Sequence, residues 1–148
     1  MKLSDEVIIP VPRQKVWEAL NDPEVLRQAI PGCEEVTKLS DTEMEAKVTV
    51  KMGPVKATFK GAVTLSDLDP PNGYRISGHG KSMMGGATGG ANVRLEDVPE
   101  GTKLVYDVDA HVTGKIASLA QRFIEPTARQ LSAQFFESFA KVAGGEPG

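Results

Sequence analysis

Val16-Trp17-Glu18-Ala19-Leu20-Asn21-Asp22-Pro23-Glu24-Val25-Leu26-Arg27-Gln28-Ala29-Ile30-Pro31-Gly32-Cys33 is the stretch whose reading decides the architecture. Pro23 disfavours helical dihedrals at Asp22 and has no backbone N–H to donate, so a helix that starts behind Pro12 must stop at Asn21. Asp22 then caps a second helix with Pro23 at its first position, and Pro31-Gly32 ends that helix in a turn. Val16, Trp17, Leu20, Leu26 and Ile30 are left to bury apolar surface. A pair of short helices set between two strands closes one end of a cup.

The walls of the cup follow from period-two alternation. Between Thr42 and Met52, Met44, Ala46, Val48, Val50 and Met52 face one way, and Glu43, Glu45, Lys47, Thr49 and Lys51 the other. Gly53-Pro54 turns the chain, and Val55, Ala57, Phe59, Gly61, Val63 and Leu65 continue the apolar face. A slip of one residue would turn that whole set outward. After the Asp69-Pro70-Pro71-Asn72-Gly73 turn, Tyr74, Ile76, Gly78 and Gly80 point inward. Ala87, Gly89, Ala91, Val93 and Leu95 then pair, through Pro99-Glu100-Gly101, with Leu104, Tyr106, Val108, Ala110 and Val112. With Leu3 to Pro10 and a short strand after Cys33, about seven antiparallel strands are expected.

The last element is expected to be one helix from Lys115 to about Val142, with Leu119, Phe123, Thr127, Leu131, Phe135 and Phe139 in one stripe. Pro126 should kink it, because a proline removes a backbone bond and crowds the preceding turn. Residues 1–143 read as one domain, and Gly144 to Gly148 as a disordered tail with nothing apolar to dock.

Composition excludes several classes of function. The 148 residues contain no apolar run that could span a bilayer, and the N-terminus lacks the order of a secretion signal, so a cytoplasmic protein is expected. One cysteine, Cys33, rules out an internal disulfide, and with only His79 and His111 beside it no metal site is expected. A net charge of −3 with scattered acidic residues offers nucleic acid no evident basic face.

Many inward sheet positions are very small: Ala46, Ala57, Gly61, Gly78, Gly80, Ala87, Gly89, Ala91 and Ala110. Interiors are packed to crystal-like density, so either the helix approaches the sheet closely there or a space remains. On composition alone the glycines read first as permitting curvature and bulges. The other inward side chains are Leu, Val, Phe, Met and Tyr, the character of an apolar pocket.

The helix pair with its Asn-Asp-Pro break and Pro31-Gly32-Cys33 turn resembles the CoxG family, named for the CoxG subunit of carbon monoxide dehydrogenase. Gly53-Pro54-Val55, the run from Gly61 to Pro71, Tyr74, Gly78, Gly80, Gly85 to Gly90 and Gly114-Lys115-Ile116-Ala117 extend the likeness over nearly the whole chain. The single Gly114 departs from a pattern in which a glycine pair often precedes the lysine. The resemblance implies the α+β helix-grip fold of the START and Bet v 1 superfamily, a curved antiparallel sheet gripping a long C-terminal helix around an apolar cavity. It further implies a non-catalytic accessory factor of a molybdenum-containing carbon monoxide dehydrogenase or related hydroxylase. The roles it points to are maturation, peripheral attachment at the inner membrane face, or carriage of a quinone-like electron acceptor.

On this reading the ligand-binding residues are Trp17, Val48, Val50, Phe59, Gly61, Val63, Tyr74, Ile76, Met83, Met84, Tyr106, Val108, Ala110, Leu119, Phe123 and Leu131. Trp17 can anchor its helix as well as wall the cavity. Met83-Met84 can form an adaptable apolar rim or fold back over the core. Tyr74, Tyr106 and Arg122 are candidates for a ligand's polar head. No catalytic residue, cofactor or metal is assigned. His79 and His111 fall on outward positions, no supporting nucleophile or third ligand stands near, and Cys33 reads as a small packing residue. Gly85 to Gly90 lacks the Lys-Ser or Lys-Thr of a phosphate loop. Two rivals remain. A cyclase, lyase or hydrolase of the same superfamily should place ionisable groups inward. A pure docking protein should have a filled core and an exposed patch around Met83 and Met84.

Overall fold

The computed structural model describes residues 1–144; of the expected tail Gly144 to Gly148, Gly144 caps the last helix and the other four residues lie outside the described residues. Strand β1 (Lys2–Ile9) is followed by helices α1 (Arg13–Leu20) and α2 (Pro23–Ala29). Strands β2 (Cys33–Lys38), β3 (Glu43–Met52), β4 (Val55–Asp69), β5 (Gly73–Ser82), β6 (Gly85–Val98) and β7 (Gly101–Thr113) then run as a meander, and α3 (Lys115–Leu119) and α4 (Gln121–Ala143) end the chain. The strands form one seven-stranded antiparallel sheet in the order β1-β7-β6-β5-β4-β3-β2. Because β1 and β2 occupy opposite edges, α1 and α2 must carry the chain across the whole sheet, which is how they close one end. This is the helix-grip fold.

The break between α1 and α2 has the expected chemistry. The Asp22 carboxylate accepts a hydrogen bond from the Glu24 N–H at 2.9 Å, and Pro23 takes the first helical position, where no N–H is needed. At the same end Thr102, fully buried, donates its hydroxyl to the Val11 carbonyl at 2.7 Å, tying the start of β7 to the chain entering α1.

The C-terminal element departs from expectation. The helix is interrupted at Ala120 (φ −117°, ψ 13°), whereas Pro126 sits inside α4. Ala120 is fully buried against Met52, Val55, Ala57 and Ile116, so packing fixes the break where the best helix-forming residue stands. Pro126 lies early in α4 on its exposed side and removes only the bond to the Arg122 carbonyl. The break also turns Leu119 outward, leaving it 58% exposed instead of in the stripe.

Burial is divided between two clusters. The larger gathers Ile9, Val16, Leu20, Met44, Leu65, Tyr74, Leu95, Leu104, Tyr106 and Phe139 with others beneath α1 and α2. The smaller contains Met52, Val55, Ala57, Ile116 and Ala120, with Met84, Phe123 and Ile124 packed on it, at the opposite end. Phe139 is completely buried in the first cluster and pins the C-terminal half of α4, a contribution of about 1.5 to 3 kcal/mol for a side chain of this kind.

Candidate functional site

Between the two clusters the inward face of the sheet is apolar yet only half-buried. Ala46, Val48 and Val50 on β3, Phe59 and Val63 on β4, Ile76 on β5, Ala91 on β6 and Val108 on β7 all retain accessible surface beneath α4. They line a cleft in two connected parts of about 490 and 410 Å³, which share Val63, Ile76, Ala91, Val108 and Leu131. The first part extends over Met52, Phe59, Ala87, Ala110 and Val112 toward the smaller cluster. The second extends under Leu26, Ile30 and Val36 toward the helix pair.

Ten of the sixteen candidate ligand residues border the cleft: Val48, Val50, Phe59, Val63, Tyr74, Ile76, Tyr106, Val108, Ala110 and Leu131. The other six do not, for separate physical reasons. Trp17 packs edge-on against Tyr74, ring centres 5.4 Å apart, as an anchor of α1. Met84 packs on the smaller cluster, while Met83 beside it is fully exposed. Leu119 is turned away by the break at Ala120. Phe123 is pressed under Gly53, where an added Cβ would stand 2.5 Å from its ring. Gly61 is small for a reason unrelated to a cavity: a Cβ there would lie 2.2 Å from the His79 carbonyl oxygen of the neighbouring strand.

Residues that the stripe reading missed complete the wall. Ile124, Ala128, Ser132 and Phe136 each follow a stripe residue by one position, so α4 presents two adjacent rows to the sheet. The signal was in the sequence as a second apolar series offset by one. Phe136 stacks on Tyr106 with ring centres 4.7 Å apart and meets Phe135 edge-on at 4.9 Å, closing an aromatic corner.

Apart from His79 and the Met1 ammonium, which donates to the Ala110 carbonyl at 3.1 Å, the polar side chains of the cleft are hydroxyls. Burial pushes the Tyr74 phenol well above its usual range, and burial followed by the Asp5 charge raises Tyr106, so both remain hydroxyl donors. Neither hydroxyl is hydrogen-bonded among the described residues. Arg122 instead lies outside, its guanidinium 5.3 Å from the Phe123 ring centre. His79 and His111 are exposed, the latter 3.5 Å from Asp109. Burial chiefly raises the Cys33 thiol, which donates to the Glu35 carbonyl, so it is not an activated thiolate. Among the described residues no His, Cys, Asp and Glu group is arranged to hold a metal, and no helix is long and apolar enough to cross a membrane.

An antiparallel sheet gripping a helix over an apolar cleft, with the helix-pair motif closing one end, agrees with the family profile that describes the CoxG subunit of carbon monoxide dehydrogenase, which matches residues 6–144. The chain belongs to the CoxG family. Among solved structures, a conserved protein from Geobacillus kaustophilus is similar with a TM-score of 0.89 at 23% identity, over 98% of this chain and 96% of that one. Ara h 8.0201 superposes with a TM-score of 0.70 at 17% identity, covering 99% of both chains. The ZhuI aromatase/cyclase from Streptomyces sp. R1128 gives a TM-score of 0.68 at 15% identity, over 97% of this chain and 93% of that one. At these identities the likeness shows the fold alone. No curated protein matches this CoxG-family chain in sequence.

Proposed function

We propose that this protein holds an elongated hydrophobic molecule, of lipid or quinone type, between its sheet and α4, and does so as a carrier without catalysis. The observation that carries this reading is the split core: two closed clusters separated by apolar side chains left half-exposed under the helix. Interiors seldom leave such surface uncovered, and each part of the cleft has the volume of an ordinary small-molecule site, about 300 to 1,000 Å³. Tyr74, Tyr106 and Ser132 supply hydroxyls for a carbonyl or hydroxyl head at the helix-pair end, while the Ala- and Gly-rich end accepts a chain. Family membership supports service to a molybdenum-containing carbon monoxide dehydrogenase or related hydroxylase, with the carried molecule as electron acceptor.

An enzymatic reading finds less support: among the described residues no carboxylate, lysine or arginine lines the cleft, and His79 at its edge is exposed with no nucleophile or acidic partner set beside it. A pure docking protein would have no use for the open middle. Native mass spectrometry of gently purified protein tests the carrier: an apolar adduct released on denaturation is expected. A clean apo mass, together with no uptake of added quinone or lipid, refutes it.

A further inference from the structure

Tyr74 and Gly80 stand on one strand, β5, and border the cleft at its two ends. They are six residues apart, so their Cα atoms are separated by about 20 Å along the strand. Tyr74 is only 8% exposed, yet its hydroxyl has no hydrogen-bond partner among the described residues. A buried hydroxyl left unpaired is costly. This one opens on a part of the cleft that no basic side chain lines. A charged head would be buried there without a countercharge, whereas a neutral acceptor such as a carbonyl would take the free O–H.

Gly80 is a glycine without a backbone reason. Its φ lies outside the left-handed region, and a Cβ there would meet nothing nearer than the Phe59 Cβ at 3.5 Å. Its neighbours on the inward face differ: a Cβ on Gly89 would stand 2.9 Å from the Asp109 oxygen and one on Gly78 3.2 Å from the Ala62 oxygen, main-chain atoms in both cases. Glycine inside a strand weakens it, so what this residue contributes is room. Gly80 pairs with Ala87 and Ala87 with Val112, the last row of β5, β6 and β7 to border the cleft. The next residue on the same face of β5, Ser82, donates its hydroxyl to the Gly85 carbonyl at 2.9 Å and closes the hairpin.

We propose that Tyr74 and Gly80 together set which molecule the cleft prefers: Tyr74 holds a neutral carbonyl head, and Gly80 leaves the space in which the far end of an apolar chain comes to rest, about 20 Å away. This deepens the carrier reading and rests on it, adding the kind of head accepted and the length of chain that gains contact.

Methyl ketones carrying chains from hexyl to octadecyl, measured by displacement of the fluorescent probe N-phenyl-naphthylamine, test it. Affinity should rise about fourfold per methylene and level off once the chain passes Gly80. Gly80→Val should bring that levelling to a shorter chain and weaken the longest ketones at least about fourfold, with the hexyl ketone bound as before and the melting temperature level or higher. Gly80→Ala should shift the profile the same way to a smaller extent, and it decides the matter if the valine variant fails to fold. Tyr74→Phe should weaken every ketone by about two- to twelvefold without moving the levelling point. A chain-length profile unchanged by substitution at Gly80, a loss there of the same factor at every length, or a Tyr74→Phe profile equal to the parent's would overturn the proposal and leave the carrier reading standing. A collapse in the stability of Gly80→Ala would show the space to be filled and would overturn it too. Failure of the probe and of every ketone to bind would overturn the carrier reading, and this inference with it.

Discussion

Gly61 and Gly80 face each other across β4 and β5, yet the structure gives them opposite reasons for being glycine. A Cβ on Gly61 would stand 2.2 Å from the His79 oxygen and 2.8 Å from the Gly80 Cα, both main-chain atoms that cannot move without opening the strand pair. A Cβ on Gly80 would meet nothing nearer than the Phe59 Cβ at 3.5 Å, an ordinary contact. Gly61→Ala should therefore cost about 1 to 3 kcal/mol through overpacking. Gly80→Ala should be neutral or stabilise by about 0.4 to 1 kcal/mol, because the unfolded chain loses freedom. In a domain of this size 1 kcal/mol moves the melting temperature by about 3 to 4 °C. Circular-dichroism melts should thus show Gly61→Ala roughly 3 to 12 °C lower and Gly80→Ala level with or slightly above the parent. An unchanged urea slope for Gly61→Ala would show that its lower midpoint is a loss of stability and not a change in the surface exposed on unfolding. Equal melting temperatures for the two variants would refute the close-approach reading. If Gly61→Ala melted normally but lost bound ligand, Gly61 would belong to the cleft wall.

Ala91→Phe, placed where both parts of the cleft meet, should abolish retention of a co-purifying apolar molecule while changing the melting temperature by only a few degrees; a collapse in stability would mean that the space is already filled. Thr102→Val should cost about 1 to 3 kcal/mol in urea unfolding, since it strips the Val11 carbonyl of its buried donor; an unchanged midpoint would deny that tie a structural role. The phenol of Tyr74 is raised in the folded state, so folding holds its proton more tightly than the unfolded chain does, and that part of the stability is whole below about pH 10 and drains above it. Tyrosinate absorbance should therefore rise for this residue only as the protein unfolds, and Tyr74→Phe should move alkaline unfolding to higher pH; ordinary ionisation in the folded protein would contradict its burial.

The elements that the sequence made legible are those governed by local rules. Alternation from Met44 to Met52 and from Val55 to Leu65, and the Asp22-Pro23 break, survive because each face or cap is decided by a residue's immediate neighbours. The break at Ala120 was invisible, since alanine has no local reason to end a helix and does so only under the packing of the smaller cluster. The same limit applies to the glycines: Gly61 and Gly80 are identical in the sequence and are distinguished only by how closely the next strand passes. The outward charge of β3 and β4 was half legible. The absence of carboxylates between Ala46 and Ser66 could be read directly, but its meaning depended on a register that sets lysine against lysine.

The division of the core separates what keeps the protein folded from what leaves it room. α4 is supported at both ends and bridges the open middle with Thr127, Ala128 and Leu131, short or apolar side chains set over Ala and Gly positions of the sheet. Its two supports are unequal, with fourteen buried residues in the cluster at the helix-pair end and five in the other. Hydrophobic stabilisation scales with the apolar area removed from water, so separating α4 from the sheet costs less at the smaller cluster. Pro126 lowers that cost further, having already removed one backbone bond from the same part of the helix. The weaker support is thus at the end of α4 nearest Met84 and Phe123. The hydroxyls of Tyr74, Tyr106 and Ser132 lie at the other, better-supported end, so a ligand's polar head would be held where the fold yields least.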